Sequence, residues 1–263
     1  MTVAAYAVEH LNVALDGRKI VEDVSFTIEP GTSMAVIGPN GAGKSTLVKC
    51  LLRLLPATSG RVRLFGKEIA RYNRRALARV AGYVPQAGEG NMPFTVEEFV
   101  LMARYPYLGA FSHFTDTDRR VAQDAMAHAD VASLAKRMLY TLSGGERQKV
   151  YIAAALAQRP LVMLLDEATA FLDYRHQVEI LELTEKLRHE TGMTVIAVTH
   201  DLNQGLTRYD HVLALKEGAV AYWGPPRGLL EAGRLEQIYD TPFRFHEDPG
   251  TGAVYVMPGE RQP

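Results

Sequence analysis

The chain has 263 residues, of which 47% are hydrophobic and 22% charged, with 29 Lys plus Arg against 30 Asp plus Glu for a net charge of -1. That length suits one large domain or one domain carrying an insert, and the composition excludes disordered, collagen-like and disulfide-scaffold classes. Near-neutrality leaves no bulk basic field, so a nucleic-acid or anionic-lipid role would need a local site.

The longest apolar runs, 151–157 and 161–165, fall far short of the ~18 to 20 residues that span a bilayer. The first basic residue is Arg18, and Glu9 and His10 lie in the first ten positions, so no secretory leader is expected. Cys50, the single cysteine, lies in the apolar run 47–55 and reads as a buried, inert thiol in a reducing cytoplasm.

In chain order, residues 8–15 and 21–28 alternate apolar and polar side chains and break at Asp16-Gly17 and Pro30-Gly31, which predicts an antiparallel β layer. Residues 33–37 form a short apolar run suited to a strand buried on both faces, and similar runs recur at 161–165, 194–198 and 212–215. Helical patterns at 44–55, before Pro56, and at 173–189, before Gly192, alternate with these runs as in a three-layer parallel α/β fold. Between 95 and 157 the pattern becomes consecutive helices, one opened by Thr95 with Glu98 and another by the acidic run 116–118. This predicts a single domain with its core at about 1–90 and 158–240 and a helical insert at about 91–157. The tail, 241–263, alternates around Asp248-Pro249-Gly250 as a hairpin would.

Gly38-Pro39-Asn40-Gly41-Ala42-Gly43-Lys44-Ser45 matches GxxxxGK[ST] after a buried strand and before a helix, the context that distinguishes a phosphate cradle from an ordinary glycine-rich turn. Its glycines let the N–H groups of Gly38, Asn40, Gly41, Ala42 and Gly43 curve around an anion, and the helix start at Lys44, Ser45 and Thr46 adds its positive dipole end. Lys44 supplies a charge for the outer phosphates and Ser45 a hydroxyl for Mg2+. A second apolar strand ends in Asp166-Glu167, where Asp166 is placed to bind Mg2+ and Glu167, pointing the other way, to polarise a water.

Ser143 and Glu146 spell a helix capping box, which leaves Gly144 and Gly145 unexplained. Each costs ~1 kcal/mol relative to Ala in a first turn unless something approaches the backbone closely. An anion is the natural visitor, and a second copy of the chain could supply it.

These residues carry a resemblance. Leu142-Ser143-Gly144-Gly145-Glu146-Arg147-Gln148 resembles the LSGGQ signature of ABC ATPases, with Glu146 in place of the commoner Gln. Gln86, after Tyr83-Val84-Pro85, resembles that family's Q-loop glutamine, Asp173 its D-loop aspartate and His200 its switch histidine. Taken singly, Gln86 reads as a solvated loop residue, Asp173 as a helix N-cap and His200 as a strand-end residue beside the N-cap Asp201; their shared order carries the likeness. Residues 100–107, with Ala103 for the usual Gly, resemble the GRxPY stretch of ATPases that serve iron-siderophore, haem and cobalamin importers, and the tail from Thr241 to Pro258 is similar to theirs. Without that likeness, residues 105–111 read as an aromatic loop packed on its own insert. Arg71, Arg74, Arg75 and Arg79 read as a solvated helix face rather than a nucleic-acid patch.

The resemblance implies an ABC-type ATP hydrolase at the cytoplasmic face of the membrane, peripheral to it, that powers import of a metal chelate through a separate integral permease and, indirectly, an external substrate-binding protein. It implies a head-to-tail homodimer with ATP between Lys44, Ser45 and Asp166 and the partner's Ser143, Gly144 and Gly145. Glu167 would act on water, His200 at the γ-phosphate, Gln86 with Ser45 and Asp166 at Mg2+, and Asp173 in the D-loop. The position that matches the family's adenine-stacking aromatic, about two dozen residues before Gly38, looks like Leu15, a departure since no Phe, Tyr or Trp lies between Tyr6 and Phe26; Tyr6 is the alternative. No nucleic-acid partner is expected. The other class these motifs allow is an ABC-type ATPase with an assembly or scaffold role, such as iron–sulfur cluster formation.

Overall fold

The computed structural model describes residues 3–86, 92–109, 111–231 and 233–259, so the expected insert boundary near 90 and the end of the tail lie outside the described residues. The chain divides into two compact units, Met1–Arg71 with Ile196–Pro263, and Tyr72–Val195.

The first unit opens with β1 (Tyr6–Leu15) and β2 (Arg18–Ile28), antiparallel and joined at Asp16-Gly17. Both turn residues take positive φ, 49° and 77°, as a two-residue hairpin turn matched to strand twist requires. β3 (Ser33–Ile37) follows with all five residues buried, then α1 (Lys44–Leu51), β4 (Ser59–Leu64) and β5 (Lys67–Glu68). The antiparallel layer runs β2-β1-β4-β5. β4 was not expected from sequence, because only Val62 and Leu64 are buried along it and two residues set no visible period. α1 is shorter than the pattern to residue 55 suggests. Arg53 turns left-handed at φ 54°, and the amides of Leu54 and Leu55 fold back onto the Lys49 carbonyl at 2.8 and 3.2 Å, closing the helix before Pro56.

The second unit contains α2 (Arg74–Ala78), β6 (Ala81–Val84), α3 (Val96–Met102), α4 (Asp116–His128), α5 (Gly144–Ala157), β7 (Val162–Asp166) and α6 (Tyr174–Thr191). Thr95 and Thr115 both cap with full capping boxes, through Glu98 and Asp118, so two of the insert's helix starts are fixed by residues three apart. α3, α4 and α5 pack on one another. α6 ends at Gly192, which is left-handed at φ 68° as expected of a helix-terminating glycine. β6, also absent from the sequence reading, is parallel to β7 with Val84 opposite Leu165.

β8 (Thr194–Val198) carries the chain back into the first unit, which continues through α7 (Leu202–Arg208), β9 (His211–Lys216), β10 (Ala219–Gly224), α8 (Arg234–Tyr239), β11 (Phe243–Glu247) and β12 (Val254–Pro258). β3 is parallel to β9, and its first residue is anchored there: Ser33 donates from its amide and hydroxyl to Asp210 Oδ2 at 2.7 and 2.9 Å. β11 and β12 form the expected tail hairpin. Asn203 on α7 holds it, accepting from the Val256 amide at 2.7 Å and donating to its carbonyl at 3.2 Å. Val256 then joins Ile37, Val212, Ala214, Leu229 and Ile238 in one apolar core. Cys50 is buried, as expected, and burial pushes its thiol up to about 11. Among the described residues no helix is long and apolar enough to cross a membrane.

Candidate functional site

Residues 38–43 link buried β3 to α1. Gly38 has φ 141°, and a Cβ there would stand 2.1 Å from the Leu215 carbonyl oxygen; Gly43 has φ 93° and would meet the Ile20 carbonyl oxygen at 2.5 Å. The backbone closes on both positions, so neither admits a side chain. Gly41, at φ 80°, faces open space and is required only by its conformation. Lys44 is buried, and its Nζ donates to the carbonyls of Gly38 and Pro39 at 2.8 and 2.9 Å, holding the loop curled over the ammonium. Gly43 is the N-cap and offers no side-chain acceptor, so the first turn at Lys44, Ser45 and Thr46 lacks a side-chain cap and presents its dipole end.

Leu15 is half-buried at the end of β1, opposite Arg18. Tyr6 is corrected as the alternative adenine contact: it is fully buried, and its hydroxyl donates to the Leu51 carbonyl at 3.0 Å, tying β1 to α1. His200 is exposed between β8 and α7, and its neighbour Asp201 caps α7 by accepting from the Gln204 amide at 3.1 Å.

In the second unit the parallel pairing of β6 with β7 puts the residues just beyond each strand side by side. Gln86 Nε2 donates to Glu167 Oε2 at 3.1 Å, so Gln86 is not merely solvated. Asp166 is buried at the end of β7 and accepts from the Tyr83 hydroxyl at 3.2 Å. Burial first, then the Asp166 charge and this bond, push the Tyr83 phenol well up, so it stays a donor. Glu167 turns left-handed at φ 53°, so strand alternation is not what aims it. A bulky non-glycine residue held there marks a strained position of the kind found at functional sites.

Ser143 caps α5, accepting from the Glu146 amide at 3.2 Å while Glu146 accepts from the Ser143 amide at 2.8 Å. That backbone bond is the main cause holding the Glu146 carboxyl low, with the Ser143 hydroxyl, Arg137 and His176 adding to it against the opposing effect of burial. Ser143 and Gly144 are exposed. Gly145 is buried for a reason the sequence did not reveal: a Cβ there would lie 2.2 Å from Cδ2 of His176. Asp173 caps α6, as its simpler reading had it, and accepts from the His176 amide at 2.9 Å.

Two residues inside the quoted motifs make contacts that the sequence did not announce. Gln148 on α5 is fully buried and donates to the Pro85 carbonyl at 3.3 Å, joining the helix of Gly144 to the segment of Gln86. Arg104 is buried, donating to Asp118 Oδ1 at 3.0 Å and the Ala157 carbonyl at 2.6 Å, with its guanidinium 3.7 Å from the centre of the Tyr107 ring. Arg75 and Arg79 are exposed, as the solvated-face reading expected, and also donate to the carbonyls of Leu108 and Pro106. No local pattern announces these bonds, whose partners lie 14 to 63 positions away.

A curled glycine loop closing over a buried lysine after a buried parallel strand, and a buried aspartate followed by a strained glutamate at the end of another, define a P-loop nucleotide-handling protein. Residues 21–170 match the family model described as ABC transporter, and the chain belongs to that family. It is 37% identical to the ferric enterobactin transport ATP-binding protein of Escherichia coli strain K12, over 98% of this chain and 95% of that one. Against the hemin import ATP-binding protein of Streptomyces coelicolor it is 40% identical, over 94% of this chain and 88% of that one. A solved structure described as an inward-facing conformation of a metal-chelate type ABC transporter superposes with TM-score 0.86 and 28% identity, covering 98% of each chain.

Proposed function

We propose that the chain is the ATP-hydrolysing subunit of an importer for a metal chelate, an iron-siderophore, haem or cobalamin, and works as a head-to-tail pair on a membrane permease at the cytoplasmic face. The observation that carries the reading is the Gln86–Glu167 bond beside buried Asp166, because it joins the carboxylate suited to water activation to the segment that leads into the helical insert. Full-length relatives named for iron and hemin transport favour import over an assembly or scaffold role.

Lys44 and the amides of Gly38 and residues 40–46 bind the phosphates, and Leu15 covers adenine by apolar contact. Asp166 and the Ser45 hydroxyl are hard oxygen donors of the kind Mg2+ takes, with Gln86 a further oxygen ligand. When bound, Mg2+ neutralises charge on the phosphate oxygens. Glu167 orients water, His200 contacts the γ-phosphate, and the partner's Ser143, Gly144 and Gly145 close the site. Charge placement and orientation supply the rate. A cavity of about 510 Å3 lined by Gln86, Met92, Phe99, Met102 and Tyr151 offers an apolar seat for a permease segment.

Mixing a Ser143→Arg chain with a Lys44→Ala chain tests the pairing. One composite site in the mixed pair is intact and the other doubly broken. ATP-dependent pairing and hydrolysis that neither chain shows alone are expected; their absence at every mixing ratio defeats the head-to-tail reading.

A further inference from the structure

Gly145 and Asp173, which the sequence singled out separately, are joined by a side chain it did not single out. His176 lies one turn into α6, with Nδ1 2.8 Å from each Asp173 carboxylate oxygen while its own amide also donates to that carboxylate. Nδ1 facing an ionised carboxylate on both oxygens is the protonated nitrogen, which fixes the tautomer and the plane of the ring. That plane lies across the backbone of Gly145: a Cβ at 145 would come within 2.2 Å of Cδ2, 2.6 Å of Cγ and 3.0 Å of Nε2. The ring is part of the fold and not the far end of a flexible chain, because the carboxylate pins it. About one turn further along both helices, Lys149 and Glu179 form a second tie at 2.8 Å, so α5 and α6 meet along a line and not at a point.

We propose that His176 is a positioning residue that locks the D-loop aspartate to the signature turn of the same chain, so that Ser143, Gly144 and Gly145 are offered to the partner's nucleotide in one piece with Asp173. The requirement for glycine at 145 then comes from the histidine ring and not from an approaching phosphate alone. The proposal rests on the head-to-tail reading above.

Hydrolysis, ATP-driven pairing and binding of a fluorescent ATP analogue are measured on the full chain for His176→Ala, His176→Asn, Gly145→Ala and the double variant Gly145→Ala/His176→Ala. His176→Ala is expected to lower kcat at least tenfold and to weaken pairing, with analogue binding by the unpaired chain within twofold of the parent. A structural role alone would shift that binding together with the rate. His176→Asn, which keeps a donor in the place of Nδ1, recovers most of the lost rate. Gly145→Ala alone is severely impaired, and the double variant is no worse than His176→Ala, because the atom the new methyl would strike is gone. A His176→Ala rate within twofold of the parent, or a double variant whose loss is the product of the two single losses, overturns the proposal. Failure of the parent itself to pair on ATP overturns instead the reading on which it rests.

Discussion

At Glu167 a single backbone torsion sets the surroundings of two acids. Its φ of 53° turns the residue out of β7 at the point where Asp166 completes the strand, so two adjacent carboxylates receive different surroundings, one buried against Tyr83 and the other beside Gln86. Replacing Glu167 by Gln keeps the shape and removes the carboxylate. Steady-state ATPase is expected to fall ~10² to 10⁴-fold with nucleotide binding retained, the usual consequence of deleting a general base. A rate within threefold of the parent at saturating Mg-ATP removes Glu167 from that role. The identity of these two acids was legible because a strand end and a motif lie in consecutive positions. Their partners Tyr83 and Gln86 needed β6, a four-residue strand whose pairing with β7 no local pattern declares.

Among the elements, Arg104 fastens the start of α4 to the end of α5. Side-chain exposures of 6% for Arg104 and 8% for Asp118 place the pair out of water, where removing one partner strands the other. Arg104→Ala is therefore expected to cost about 3–5 kcal/mol in urea unfolding, with little relief from salt. Burial raises the Asp118 carboxyl, but hydrogen bonds from Thr115 and from Arg104 outweigh it and hold the group below its ordinary value. A depressed folded-state value means the stabilisation is complete above the unfolded carboxylate range, near about pH 4, and is lost as pH falls through the lower folded value. Acid titration of the parent should show that loss, and Asp118→Asn should flatten it while lowering stability at pH 7. The capping boxes of α3 and α5 were readable because donor and acceptor lie three residues apart, whereas at α4 the sequence reading found only the acidic run 116–118 and the box through Thr115 came with the structure. The Arg104 cluster was not readable, since its residues meet only after the helices have packed.

At the scale of the whole molecule, the tail is a structural part of the first unit. Val256 inserts into the core around Ile37, and Asn203 satisfies both of its backbone groups. Val256→Ala removes two buried carbons at roughly 0.8 kcal/mol each, so a loss of about 1–2 kcal/mol is expected in equilibrium unfolding. A change under about 0.3 kcal/mol would show that the hairpin is not held against the core in solution.

The anchoring of β3 also dictates when the phosphate loop can exist during protein synthesis. Ser33 and its acceptor Asp210 are 177 positions apart, and the carbonyl that Gly38 closes on belongs to Leu215. At roughly 5–20 residues per second a ribosome needs about 9–35 s to travel between them. Through that interval the unit Tyr72–Val195 emerges whole and in one stretch, while β3, ahead of it in the sequence, still lacks β9 and the loop lacks the Leu215 carbonyl that Gly38 closes on. A nascent chain arrested before His211 thus carries every residue of the nucleotide motif without the strand and the carbonyl that close in on its first glycine.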